Sequence, residues 1–161
     1  MKISSNLDPS IASHTIKMEK EKNIALIAHD YRKRDMLDWA DYNRDLLKKH
    51  RLFGTGTTGG LIAKQLGLDV ETFQSGPLGG DLQIGAAISE NKINMMIFFW
   101  DPLQAQPHDV DVKALLRISI VYNIPIACDR ASADFMITSN LMDETYDRYL
   151  VDYGKRLKSE F

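Results

Sequence analysis

Cysteine is nearly absent from this chain: Cys128 stands alone among 161 residues, so neither an internal disulfide nor a cysteine-built metal cluster can form. A lone thiol fits a reducing compartment, and a cytoplasmic location is expected. Net charge is missing too. Twenty Lys and Arg face 22 Asp and Glu, leaving no broad field to attract nucleic acid or an anionic membrane, and neither is expected as a partner. No apolar run approaches the ~20 residues that span a bilayer, and the N-terminus carries no basic segment followed by an apolar signal core. The four histidines form no His-x-x-x-His or Glu-x-x-His pair, and the nearby aspartates are scattered singly, so no metal site is expected.

What is present is enough chain for one domain, which at this length buries about 70% of the surface its unfolded form exposes. Residues 1–22 are polar, with Ser4, Ser5, Pro9 and Ser10 followed by a charged stretch, and they lack sustained periodicity. They read as a polar N-terminal extension, with the domain proper over 23–161. From there short apolar runs alternate with amphipathic stretches. Strands are expected over 23–28, 51–53, 70–74, 95–100 and 124–127. Helices are expected around Met36 to Leu47, 58–66, 81–90 and from Asp109 onward. Strands that are apolar throughout and alternate with helices predict a three-layer α/β/α domain built on a five-stranded, doubly wound parallel sheet. Beyond Met142, the spacing of Tyr146, Tyr149, Leu150, Tyr153 and Leu157 predicts a terminal helix.

In such sheets ligands sit beyond the carboxyl ends of the strands. His29-Asp30 follows the first strand, with Lys33 a helical turn further on. A Gly/Thr turn over 54–60 follows the second, Ser75 to Asp81 the third, Asp101 the fourth with His108 and Asp111 beyond it, and Asp129-Arg130 the fifth. Thr55, Gly56, Thr57 and Thr58 sit directly ahead of a helix start, where hydroxyls and free N–H groups suit a phosphate. The turn is not a Walker A loop, because its Lys-Ser/Thr ending is missing. Ser75 and Gly76 offer a second anion-binding turn, and Asp81 is either a helix cap or a base beside that anion. Lys33 is either the phosphate's cationic partner or a solvated lysine.

Assembled, these residues resemble the methylglyoxal synthase family. The likeness runs from Ile24 to Ile137 and rests on Ile24-Ala25-Leu26-Ile27-Ala28-His29-Asp30 with Lys33, on the glycines and threonines of 54–59, on the segment 74–81, on Phe98-Phe99-Trp100-Asp101-Pro102-Leu103, and on 106–117. It implies a homohexamer that converts dihydroxyacetone phosphate into methylglyoxal and inorganic phosphate, is inhibited by phosphate, and uses no cofactor. It further implies that Asp81 is the base, that His108 touches the substrate oxygens, and that Asp111 takes part in proton handling. Phosphate would lie against Lys33, Thr55, Gly56, Thr57, Thr58, Ser75 and Gly76, with His29 close by. Leu82 and Asp129 depart from the family's usual residues, and Arg148 and Arg156 are both candidates for its arginine that reaches a neighbouring subunit. A different class, a phosphate- or nucleotide-sensing regulatory domain, shares the anion-binding turns but has no need of Asp81, His108 and Asp111 together.

Overall fold

The computed structural model describes residues 12–104 and 109–159. In chain order they form β1 (Ala12–Met18), β2 (Asn23–Ala28), α1 (Lys33–Tyr42), α2 (Arg44–Leu47), β3 (Arg51–Gly54), α3 (Gly56–Leu66), β4 (Val70–Thr72), α4 (Gly80–Ser89), β5 (Met95–Phe99), α5 (Asp109–Val121), β6 (Ile126–Ala127), α6 (Arg130–Ile137), β7 (Tyr146–Val151) and α7 (Tyr153–Ser159). Five strands make a sheet in the order β4-β3-β2-β5-β6. All of its pairings are parallel.

The central strands are apolar on both faces because both faces are covered. Ile24, Leu26 and Ala28 of β2 and Met95, Ile97 and Phe99 of β5 join a cluster with Met36, Trp39 and Ala40 of α1, Ile62 of α3, and Ala133 and Ile137 of α6. Their alternating neighbours, Ala25, Ile27, Met96 and Phe98, pack instead with Ile84, Ala87 and Ile88 of α4 and Val112 and Leu115 of α5. The chain thus winds both ways from β2, as the sequence predicts, and the carboxyl ends of β2, β3 and β4 are brought to one edge.

Three elements differ from the sequence reading. Beyond Met142 there is no continuous helix: Tyr146–Val151 is a strand that pairs antiparallel with β1, Met18 opposite Tyr146 and Thr15 opposite Tyr149, before the short α7. Tyr146, Arg148 and Leu150 also fit a period of two, and a β-rich composition with a partner strand decides for it. Ala12–Met18, inside the stretch read as an extension, supplies that partner, and Met18 and Lys22 are almost wholly buried. The last strand of the sheet shortens to Ile126–Ala127 because Pro125 has no N–H for a ladder; its carbonyl still accepts from the Met96 N–H at 3.0 Å.

Candidate active site

Beyond the carboxyl ends of β2, β3 and β4 lies a cavity of about 310 Å³, walled by His29, Lys33, Thr55, Thr57, Thr58, Ser75, Gly76 and Asp81. The sequence singles out every one of these residues. Gly56 stands behind the wall, its N–H donating to the Gln74 carbonyl at 3.1 Å and tying the two turns together. The segment containing His108 lies outside the described residues, as does the side chain of Asp111, whose backbone is in the first turn of α5.

Local hydrogen bonding explains how each wall is held. His29 extends the β2 ladder, its N–H donating to the Phe99 carbonyl at 3.1 Å, and its ring meets Phe98 edge-on at 5.3 Å. Its Nδ1 accepts the Asp101 backbone N–H at 3.0 Å, so in the neutral ring the proton is on Nε2. Asp101 is therefore a support for the imidazole and does not itself line the cavity. Lys33 pairs with Asp30, a helical turn earlier, and this places a cation at the cavity mouth.

At the start of α3 the Gly59 N–H bonds the Thr55 carbonyl at 2.7 Å. By helix geometry the amides of Thr57 and Thr58 have no acceptor within the helix, and they sit at the positive end of its dipole. The three threonines are not equivalent. Thr58 is buried and its hydroxyl donates to the Ala28 carbonyl at 3.3 Å, tying α3 to β2, whereas Thr57 is exposed.

The turn ahead of Asp81 requires its glycines. Gly79 has φ +99°, where a side chain is strained, and a Cβ at Gly80 would lie 2.0 Å from the Gln74 carbonyl oxygen. That close approach folds the short 3-10 turn Gly76–Leu78 onto the start of α4, and the Gly80 N–H donates to the Ser75 carbonyl at 3.0 Å. Gly79, not Asp81, is the N-cap of α4. Asp81 is the second residue of the helix, half-buried, and both its carboxylate oxygens lie 3.6 Å from where a Gly76 Cβ would sit. The carboxylate is thus folded back over the Ser75–Gly76 turn.

Other candidate residues are used elsewhere. Asp129 caps α6, accepting from the Ser132 N–H at 2.8 Å and the Ser132 hydroxyl at 3.2 Å, and these bonds hold its carboxyl below the usual range. Arg148 is buried in β7, donating to the Tyr122 carbonyl at 2.7 Å and to Asn91, so within this chain its guanidinium is committed to the ends of α4 and α5. The side chain of Arg156 lies outside the described residues. Sequence reasoning missed Gln104 and Pro77, which also line the cavity. Among the described residues no three His, Cys, Asp or Glu side chains are grouped to hold a metal ion.

A parallel α/β sheet whose strand ends bring two glycine-bearing turns and a carboxylate to one cavity defines the class, and the family model described as MGS-like domain matches residues 35–128. The chain is 55% identical over 139 residues to a methylglyoxal synthase of Leptospira interrogans, covering 86% of this chain and 94% of that one. It is 52% identical to a methylglyoxal synthase of Clostridium acetobutylicum over 89% and 99% of the two chains. The crystal structure of methylglyoxal synthase from Elizabethkingia anophelis NUHP1 superposes with a TM-score of 0.85 at 46% identity, covering 91% and 96%. The chain belongs to the methylglyoxal synthase family.

Proposed function

We propose that this chain converts dihydroxyacetone phosphate into methylglyoxal and inorganic phosphate, with Asp81 as the base. The observation that carries the reading is the placement of the Asp81 carboxylate over Gly76, within the same cavity as the Lys33 and Thr55–Thr58 anion-binding groups. Phosphate held by Lys33, the Thr57 and Thr58 amides, Ser75 and Gly76 leaves the three-carbon skeleton beside that carboxylate. Asp81 takes a proton from the hydroxymethyl carbon, and the electron pair forms a carbon–carbon double bond as charge moves to the carbonyl oxygen. Donors near that oxygen stabilise the enediolate, a task suited to His29 through Nε2–H and to His108. Triosephosphate isomerase likewise sets a neutral imidazole beside a carboxylate base to enolise a related substrate.

Loss of the hydroxyl proton, with Asp111 assisting its transfer, then drives electrons back through the skeleton. The bond to the phosphate oxygen breaks, and the enol left behind tautomerises to methylglyoxal. The two anion-binding turns neutralise charge as the phosphate departs, so free phosphate competes with substrate and inhibits. No cofactor takes part in this scheme. A homohexamer in the cytoplasm completes the reading; an apolar groove between α4 and α5, bordered by the exposed Leu82 and reaching Asp81, supports association at that face. A purely sensory role is disfavoured by relatives of matching length that are named as synthases.

The test incubates the purified protein with dihydroxyacetone phosphate and a chelator, following phosphate and trapped methylglyoxal together. Equal amounts of both are expected. Phosphate binding without turnover would favour a sensor.

A further inference from the structure

We propose that Gln104 is a positioning residue that accepts a hydrogen bond from the substrate's hydroxymethyl group, an inference that rests on the reading above. Gln104 lines the cavity, yet its Oε1 is buried with no hydrogen-bond partner among the described residues. An acceptor left unmade in a protein interior is costly and is uncommon unless something completes it. Its backbone is well held. The Gln104 N–H donates to the Asp101 carbonyl at 3.3 Å, the Leu103 N–H donates to the Asp101 carboxylate at 2.9 Å, and the Asp101 N–H donates to His29. The backbone that carries the orphaned oxygen is therefore tied to the imidazole.

The chemistry of the ligand decides what can satisfy it. A bound phosphate dianion and a ketone offer only acceptors, and so does the carboxylate of Asp81. The hydroxymethyl group is the one donor on dihydroxyacetone phosphate. A carboxamide oxygen in this wall thus reads the end of the substrate opposite the phosphate. It holds the carbon that must lose its proton and selects against analogues with a methyl group there. Because the hydroxyl is bonded in ground state and transition state alike, its loss should raise KM more than it lowers kcat.

The experiment measures affinities by calorimetry in the Asp81→Asn background, where substrate is consumed at least about 10²-fold more slowly. Three probes are used: dihydroxyacetone phosphate, hydroxyacetone phosphate, in which the hydroxymethyl group is a methyl, and inorganic phosphate. Gln104→Met, similar in length and lacking a strong acceptor, is expected to weaken dihydroxyacetone phosphate by about three- to tenfold while leaving the other two unchanged. Gln104→Glu keeps an acceptor oxygen and is expected to retain the preference for the hydroxylated ligand while weakening all three through its charge. Equal weakening of all three probes by Gln104→Met, or unchanged binding of dihydroxyacetone phosphate, overturns the assignment. A background protein that binds phosphate but not dihydroxyacetone phosphate instead overturns the substrate reading itself, and the Gln104 proposal with it.

Discussion

Gly80 sets the geometry of Asp81 more directly than any side chain does. Alanine there would place a methyl 2.0 Å from a backbone oxygen that cannot give way, so the turn over 74–79 must move. Gly80→Ala is expected to cost about 2–4 kcal/mol of stability and on the order of 10²-fold in kcat, since a displacement near 1 Å is enough to misalign a base. Gly60, in α3, has nothing within 4 Å of its Cβ position. Gly60→Ala is expected to gain about 0.5–1 kcal/mol through helix propensity with activity intact. Urea midpoints and turnover of the two variants check the contrast. Most of the cavity wall is legible in the sequence at this scale, because the turns that follow parallel strands share one edge of the sheet, and this alone brings His29, Thr55 and Ser75 together. Gln104 is not legible, as a glutamine among prolines carries no spacing signal. Which of Asp81 and Asp129 caps its helix is not legible either: an acidic residue near a helix start caps it only when the residue stands at the N-cap, as Asp129 does and Asp81 does not, a matter of one or two positions that spacing does not resolve.

Among elements, the starts of β2 and β3 are joined by an unusual tie. The Lys22 N–H donates to Nδ1 of His50 at 3.0 Å, and the Arg51 N–H donates to the Lys22 carbonyl at 2.9 Å. Burial, then the Lys22 charge, hold the His50 imidazole below its ordinary value of 6.5. The folded protein therefore binds fewer protons at this ring than the unfolded chain. Its contribution to stability is full above the unfolded pKa and is lost as pH falls through that value toward the folded one. The urea midpoint is expected to fall between about pH 7 and pH 5 more in the wild type than in His50→Gln, whose amide accepts without titrating. Parallel curves for the two proteins would sink this account. The same edge explains why β7 escapes a reading of the sequence. Its apolar residues suit a helix as well as a strand, and what decides is β1 lying alongside. Lys22, just after β1, adds a further link, its ammonium donating to the carbonyls of Glu19 at 2.6 Å and Glu144 at 2.5 Å. Contacts made 122 residues apart leave no local trace in a sequence.

For the whole molecule, two consequences of the site and its surface can be measured largely without altering the site. Inorganic phosphate binding to the folded state alone should raise the melting temperature in step with its concentration, a stabilisation of about 2.7 kcal/mol at one hundred times Kd. Sulfate at equal ionic strength is the comparison that separates site binding from general salt effects. The chain mass is 18.3 kDa, so sedimentation of a closed hexamer should give a species of about 110 kDa, and Leu82→Glu is expected to shift it toward smaller forms by charging the groove between α4 and α5. The centre of the five-stranded sheet is readable from sequence because β2 and β5, covered on both faces, are apolar almost without interruption. How chains associate is not, because an exposed leucine looks the same whether it meets water or a neighbour.

The central claim is that one cavity both grips the phosphate and removes the proton, with Asp81 responsible only for the second task. The most direct measurement is a parallel one on Asp81→Asn: phosphate affinity by calorimetry and turnover of dihydroxyacetone phosphate, with circular dichroism to confirm the fold. The account predicts native phosphate affinity or tighter, since a carboxylate charge has been removed from beside the anion, together with a loss of at least about 10²-fold in kcat. Turnover near the wild-type rate in a folded Asp81→Asn protein would contradict it.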